Sequence, residues 1–282
     1  MGTARLLVAT RSALVLALAF CAGCALQSHP RIAPPGIAVE RDVSLNGHLL
    51  RLHIADARTR HAAPLLVYAT GDGGWHRKDL DFYRHLVSWG YPVVGFDAHD
   101  YVTHLGTEPT TTPGRVARDY LTIISASREV LALPREVPIV LVGVSRGADI
   151  AVVAAGTRLL RGELAGLVVA GLTKEEEYVR WYRRIGRHRS DTREMVQLYE
   201  YLERLGPLPI TVIQSTRDNY LPAASARALF GPDGPHRHLI AVDARNHSFG
   251  GARDRLNAAF ESALDTLSRT DLTPSARRAR GR

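Results

Sequence analysis

The hydrophobic pattern begins with a hairpin. Val39–Leu45 and His48–Ile54 are short strand-like segments on either side of Asn46 and Gly47, a dipeptide typical of tight hairpin turns. Beyond them the pattern changes to continuous apolar runs, which indicate strands buried on both faces. The six predicted strands are Pro64–Ala69, Pro92–Phe96, Pro138–Val142, Leu164–Ala170, Ile210–Gln214 and His238–Val242.

Stretches with helical spacing separate these runs. They are Asp79–Trp89, Thr112–Leu133, Gly147–Leu160, Ala223–Phe230 and Gly251–Leu267. Alternating strands and helices predict an α/β fold with a mostly parallel sheet, an antiparallel start and helices on both faces. Residues 173–206 are too many for a tight connection, so we expect a helical cap inserted there.

The first residues are organised like an export signal. Arg5 and Arg11 precede a short apolar stretch, Ala13–Phe20, which small residues follow. The apolar stretch is shorter than the roughly 18–20 residues that span a bilayer. We therefore predict that residues 1–23 are a signal peptide and that the protein is exported.

The two cysteines of the chain both lie at the end of this segment. Cys21-Ala-Gly-Cys24 resembles a bacterial lipobox, in which Cys24 would be acylated, while cleavage after Ala25 is the alternative. A lipid-modified cysteine carries several acyl chains, enough for stable anchoring. The predicted location is the periplasm, with a lipid anchor in the envelope membrane, and no cysteine remains downstream for a disulfide or a thiolate zinc site.

The rest of the chain divides into three predicted parts. A Pro-rich tether covers 24–38, the folded domain covers 39–268 with its cap at about 173–206, and a basic tail covers 269–282. The net charge of +8 includes +2 from the first 23 residues and +4 from 267–282, so the body carries only +2. That distribution argues against a nucleic-acid partner and leaves an anionic membrane surface as a partner of the basic segments.

The cap contains a cluster of arginines. Between Arg180 and Arg193 there are six arginines against Asp191 alone. One interpretation is a lid that faces an anion, in which Arg180 and Arg184 would bind substrate. The alternative is a solvated helix face paired with neighbouring glutamates.

A G-x-S-x-G pattern carries the clearest chemistry. Gly143-Val-Ser145-Arg-Gly147 follows an apolar strand and begins a helix, which is the context of a nucleophile elbow. Glycines are needed there because the strained turn leaves no room for side chains beside the exposed hydroxyl. We predict Ser145 as the nucleophile and the Arg146 amide as one oxyanion donor, with a plain helix cap at Ser145 as the alternative.

A serine nucleophile needs a base and an acid, which follow it in this chain order. Asp218 lies just past the predicted strand at Ile210–Gln214, and His247 lies past the last strand. We predict Asp218 as the acid and His247 as the base, with Asp243 as the rival acid.

Three glycines lie close together in Thr70–Trp75, after the first parallel strand. Glycines let backbone amides approach a ligand closely, so Asp72 or Gly73 is expected to give the second oxyanion donor and Trp75 to contact substrate. A mere glycine-rich turn is the alternative. The loop lacks the Lys-Ser/Thr of a nucleotide-binding loop.

Four other polar residues follow a strand without a recognised ligand spacing: Asp97, His99, Asp100 and His104. We therefore predict neither a metal ion nor a cofactor.

These motifs resemble the α/β-hydrolase superfamily across Val39–Leu267. Within it, the Gly71-Asp-Gly-Gly-Trp75 loop and the Gly147-Ala-Asp149 end of the elbow resemble the bacterial virulence-factor family of AcvB and VirJ. The resemblance implies an exported serine hydrolase, with Ser145, Asp218 and His247 as the triad. Members of the AcvB type are associated with hydrolysis of the aminoacyl ester of lysyl-phosphatidylglycerol.

Two classes of function follow. The first is an exported serine hydrolase that cleaves an ester through an acyl-enzyme, the aminoacyl ester of an aminoacylated phosphatidylglycerol being the lipid version; peptidase activity is a further option. The alternative is a non-catalytic envelope accessory protein that keeps a hydrolase fold.

Overall fold

The computed structural model describes residues 37–56, 63–105, 112–177 and 195–269. The predicted signal segment, the middle of the cap and the tail from 270 lie outside this part. The predictions for Cys24, Arg180 and Arg184 fall there too. Strand β1 begins at Ile37, two residues inside the predicted tether.

Ten strands are described. They are β1 Ile37–Leu45, β2 His48–Asp56, β3 Leu65–Ala69, β4 Pro92–Phe96, β5 Ile139–Val144, β6 Leu164–Ala170, β7 Glu175–Glu177, β8 Met195–Gln197, β9 Ile210–Ser215 and β10 Arg237–Val242. Eight form one sheet in the order β1-β2-β4-β3-β5-β6-β9-β10. Both pairings of β2 are antiparallel and the others are parallel, which confirms the predicted sheet with its antiparallel start.

Helices cover both faces of this sheet, as predicted. They are α1 Arg77–Ser88, α2 Ala98–Leu105, α3 Pro113–Leu131, α4 Arg146–Ala155, α5 Arg158–Arg161, α6 Leu198–Glu203, α7 Ala223–Phe230 and α8 Arg253–Arg269. Alternate residues of β3 enter different cores: Val67 packs in the core that includes α3 and α4, and Tyr68 in the core that includes α1 and α8. Successive side chains of a strand point to opposite faces, so the fully apolar run of β3 reflects burial on both sides.

Three elements differ from the sequence prediction. The helix predicted at Gly147–Leu160 is two helices, because Thr157 accepts a hydrogen bond from the Leu160 amide and starts α5 anew. Helix α2 is absent from the sequence prediction. It begins only one residue after β4 ends, so no loop separates its pattern from that of the strand. The described ends of the predicted helical cap include an antiparallel pair, β7 with β8, besides the short helix α6.

The parallel strands place the predicted site at one edge of the sheet. In their registers Ala69 aligns with Gly143, Val144 with Ala170, and Val242 with Ser215. The carboxyl ends of β3, β5, β6, β9 and β10 therefore lie next to one another in that order, where ligands bind in open α/β sheets. Among the described residues, no helix is both long and apolar enough to cross a membrane.

Candidate active site

Ser145 lies in a strained turn between β5 and α4. Its backbone has φ 54° and ψ −123°, a conformation that side-chain-bearing residues rarely adopt. A Cβ on Gly143 would meet the backbone of Gly147, and a Cβ on Gly147 would meet the carbonyl oxygens of Ala69 and Thr70. Glycine is therefore required on both sides of Ser145, as a nucleophile elbow demands.

Three predicted residues form one chain of hydrogen bonds. His247 Nε2 lies 2.8 Å from Ser145 Oγ, and His247 Nδ1 lies 2.7 Å from Asp218 Oδ2. The tautomer that uses both contacts donates from Nδ1 to the Asp218 carboxylate and accepts at Nε2 from the Ser145 hydroxyl. The side chains meet although 102 residues separate Ser145 from His247 and 29 separate His247 from Asp218.

The carboxylate of Asp218 is fixed from several directions. It is 2% exposed, and its Oδ1 accepts from the amides of Tyr220 at 2.8 Å and Leu221 at 3.2 Å. Its Oδ2 accepts from Gln214 Nε2 at 3.1 Å as well as facing His247. These bonds satisfy a buried carboxylate and orient the oxygen that holds the imidazole.

The rival acid lies elsewhere. Asp243 has a side chain 69% exposed, pairs with Arg217 at 2.9 Å and accepts from the Thr216 hydroxyl. The structure therefore brings Asp218, rather than Asp243, to the imidazole.

The Gly-rich loop lies against the elbow. A Cβ on Gly71 would stand 3.8 Å from Ser145 Cβ. The Gly71 amide donates to Asp79 Oδ1 at 3.2 Å and the Gly74 amide to the Gly71 carbonyl at 3.0 Å. Within the described residues, the amides of Asp72 and Gly73 have no hydrogen-bond acceptor, so these two remain the oxyanion candidates in the loop.

A side-chain ion pair joins the loop to the elbow. The Asp72 carboxylate pairs with Arg146 Nε, while His99 Nδ1 lies 3.5 Å from the same carboxylate oxygen. Sequence reasoning missed this pair because nothing in either local motif indicates that the two side chains meet. It holds together the two residues whose amides were predicted to stabilise an oxyanion.

Trp75 does not line the cavity beside Ser145, contrary to its predicted substrate contact. Its ring packs edge-on against His53, with centroids 4.9 Å apart, and against Tyr83 at 5.6 Å. The Trp75 amide donates to Asp97 Oδ2 at 3.3 Å. The residue therefore anchors the end of the Gly-rich loop.

A cavity of about 300 Å³ opens beside Ser145 and His247. Its apolar lining includes Tyr68, Phe82, Phe249 and Leu256, which belong to one core cluster. Charged groups also line it: Asp72, Lys78, Asp79, Arg146, Asp149 and Arg253. Burial raises the pKa of the Asp79 carboxyl, although the Gly71 amide opposes that shift.

The four polar residues that follow β4 do not form a single cluster of side chains in the structure. Asp97 accepts from backbone amides, and His99 faces Asp72. Asp100 and His104 instead meet His48, and one ligand atom of each lies within 4.8 Å of the others. These three could hold a metal ion, but the His48 and His104 rings stack with an interplanar angle of 7°, so their lone pairs run parallel and do not converge.

Comparison with known proteins gives a family match by sequence for part of the chain and a match of the fold by structure. Residues 64–198, a little under half of the chain, match the model of the family described as bacterial virulence protein (VirJ). The resemblance seen in the Gly-rich loop and the elbow is thereby confirmed over that stretch. No curated protein matches the chain.

Solved structures similar to this one are α/β hydrolases. Est1E from Butyrivibrio proteoclasticus is 12% identical with a TM-score of 0.59, over 81% of this chain and 98% of its own. A membrane phospholipase A, described as a bacterial virulence factor, is 13% identical with a TM-score of 0.59, over 83% and 87%. The acylaminoacyl peptidase of Pyrococcus horikoshii is 14% identical with a TM-score of 0.59, over 83% of this chain and 41% of its own. At these identities the likeness establishes the α/β-hydrolase fold.

Proposed function

We propose that this protein is a serine hydrolase that cleaves an ester through an acyl-enzyme on Ser145. The observation that carries the proposal is the continuous chain of hydrogen bonds from Ser145 Oγ through His247 to Asp218, with donor–acceptor distances of 2.8 Å and 2.7 Å. A serine hydroxyl is a weak nucleophile until a positioned base removes its proton. Here that base is His247, whose Nε2 lies next to Ser145 Oγ.

The reaction then follows from the positions of the groups. His247 Nε2 takes the proton as Ser145 Oγ bonds to the ester carbonyl carbon, and Asp218 stabilises the imidazolium that forms. The carbonyl oxygen becomes an oxyanion, for which the Arg146 amide and the Asp72 or Gly73 amide are the donors. His247 returns the proton to the leaving alcohol. Water, activated by the same imidazole, then releases the acid from Ser145.

We extend the proposal to a membrane substrate and an envelope location. The support is the match to the VirJ family, the similar fold of a phospholipase described as a virulence factor, and the signal-like first 23 residues with Cys24 in a lipobox. The lipid version of the substrate is the aminoacyl ester of an aminoacylated phosphatidylglycerol. Arg180 and Arg184 would bind the anionic head group of such a substrate, and the positive charge of the basic tail would be attracted to an anionic membrane surface.

Labelling with a fluorophosphonate probe tests the nucleophile. Wild-type protein should be labelled and Ser145→Ala should not, because the probe reacts with activated serines. Ser248→Ala is the matched control, since Ser248 lines the same cavity; this variant should keep its label. A folded wild type that resists the probe would exclude the serine-hydrolase proposal.

Release of amino acid from vesicles containing aminoacylated phosphatidylglycerol tests the lipid version of the substrate. Activity on soluble esters alone would reject that version.

A further inference from the structure

One carboxylate in the cavity is not used by the proposed triad. Asp79, in the first turn of α1, is 3% exposed and lines the cavity beside Ser145. Its Oδ1 accepts from the Gly71 amide and from the Tyr68 hydroxyl, both at 3.2 Å. Its Oδ2 is buried and has no hydrogen-bond partner among the described residues.

A buried carboxylate oxygen without a partner is costly. Polar groups removed from water are normally hydrogen-bonded, and a buried anion is normally paired. Lys78 and Arg253 line the same cavity and act on Asp79 electrostatically, but no described cation lies within 4.0 Å of its carboxylate. The hydrogen bonds to Oδ1 explain how Asp79 holds the Gly-rich loop. They do not explain why Oδ2 is buried without a hydrogen-bond donor among the described residues.

Asp79 lies close to the nucleophile. A Cβ on Gly71 would stand 3.8 Å from Asp79 Oδ1 and 3.8 Å from Ser145 Cβ. Asp79 Oδ1 and Ser145 Cβ therefore lie no more than twice 3.8 Å apart, a separation that one substrate molecule can span.

The chemistry that fits this placement is a cation on the acyl side of the ester. In an aminoacyl ester the ammonium nitrogen is two bonds, about 2.5 Å, from the carbonyl carbon. That carbon lies about 3 Å from the attacking oxygen before reaction, and an ammonium–carboxylate hydrogen bond adds about 2.8 Å. Together these lengths are comparable with the separation of at most twice 3.8 Å between Ser145 Cβ and Asp79 Oδ1. The cavity walls of Phe82 and Leu256 leave apolar surface for the rest of the acyl group.

We propose that Asp79 is the specificity-determining residue of the site and that its Oδ2 receives the α-ammonium group of an aminoacyl ester held at Ser145. This inference rests on the proposed serine-hydrolase function and adds to it the residue that selects the acyl group. Binding of the cation supplies the missing partner of the buried oxygen, so the site favours esters of free amino acids over esters of plain carboxylic acids.

A pair of esters that differ only in the ammonium group tests this role. The p-nitrophenyl esters of alanine and propionate should be compared in wild type, in Asp79→Asn, and in Asp81→Asn as the matched control. Asp81 is on the same helix, half-exposed and paired with Arg84. Asparagine keeps an acceptor for Gly71 and Tyr68 but has no charge. In wild type the alanine ester should have the higher kcat/KM. Asp79→Asn should lower the alanine-to-propionate ratio of kcat/KM by about 10- to 100-fold, the loss expected for a hydrogen bond to a charged group, and Asp81→Asn should leave the ratio unchanged.

Each contrary outcome has a distinct meaning. Equal kcat/KM values for the two esters in wild type would overturn the assignment of Asp79. So would an equal fall for both esters in Asp79→Asn, together with slower fluorophosphonate labelling, because that pattern belongs to a residue that only supports the loop. A preference for a choline ester of a neutral acid would place the cation on the alcohol side and reject the acyl-side proposal. Absence of labelling in wild type would instead remove the serine-hydrolase function itself.

Discussion

Asp218 and Asp243 show what decides the acid of the site at the scale of single residues. Both follow a predicted strand and both precede His247; the sequence pattern favours Asp218 and leaves Asp243 as a rival. The difference arises from local bonds: the amides of Tyr220 and Leu221 turn the Asp218 carboxylate inward, while Arg217 holds Asp243 at the surface. Such bonds depend on the backbone conformation of the loop after β9, which the spacing of residues in the sequence does not predict.

Asp218→Asn tests the proposed role of this carboxylate. The asparagine oxygen can keep the backbone bonds, but its amide would face His247 Nδ1 and favour the wrong tautomer of the imidazole. We expect kcat to fall by about 10³- to 10⁴-fold, as for the equivalent change in other serine triads. Steady-state kinetics on a soluble ester measures the fall. Asp243→Asn should stay within about threefold of wild type, because the exposed carboxylate makes no contact with the imidazole; similar losses in both variants would contradict the assignment.

At the scale of elements, the strands were predictable and their order was not. The predicted Pro92–Phe96 and Leu164–Ala170 coincide with β4 and β6, and the other four runs agree within two residues, because strands buried on both faces must be continuously apolar. The position of β3 between β4 and β5 depends on the helices that connect the strands. No local sequence pattern indicates it. The same applies to His48, which reaches Asp100 and His104 only because β2 lies beside α2.

Gly147, in the first turn of α4, lies directly against the end of β3. A Cβ there would meet the carbonyl oxygens of Ala69 and Thr70, and backbone cannot move aside as a flexible side chain can. Gly147→Ala should therefore lower the free energy of unfolding by about 2–3 kcal/mol and also displace the elbow. Urea unfolding followed by circular dichroism measures this loss.

Gly162 offers a matched control for that change. It ends α5 with φ −67°, and a Cβ there would meet nothing within 4 Å. Gly162→Ala should be neutral or stabilising by about 0.4–1 kcal/mol, because alanine restricts the unfolded chain. A Gly147→Ala variant as stable as Gly162→Ala, with normal probe labelling, would contradict the steric account of the elbow.

At the scale of the whole molecule, buried carboxyls link the site to stability. Burial raises the pKa of Asp79 and also that of Asp119, whose partners are Arg115 and Tyr101. For an acid, a raised pKa in the folded state means that the folded chain binds more protons than the unfolded chain between the two pKa values. The free energy of unfolding therefore falls as pH rises through that interval, starting near the ordinary value of 3.8.

Asp79→Asn should remove its share of this pH dependence. Asparagine does not ionise, so the stability of the variant relative to wild type should rise from about pH 4 and become constant above the raised pKa of Asp79. Urea unfolding at several pH values between 4 and 8 measures the free energy of unfolding of the variant relative to wild type. The change of this difference with pH is the informative quantity, because the new amide itself alters stability equally at every pH. Asp81→Asn, a change on the same helix at a half-exposed position, is the comparison variant measured alongside it. A flat difference for Asp79→Asn would mean that the carboxyl ionises normally in the folded protein. A rise would show that the folded protein keeps an uncompensated carboxylate beside Ser145, a cost to stability that a bound ammonium group would relieve.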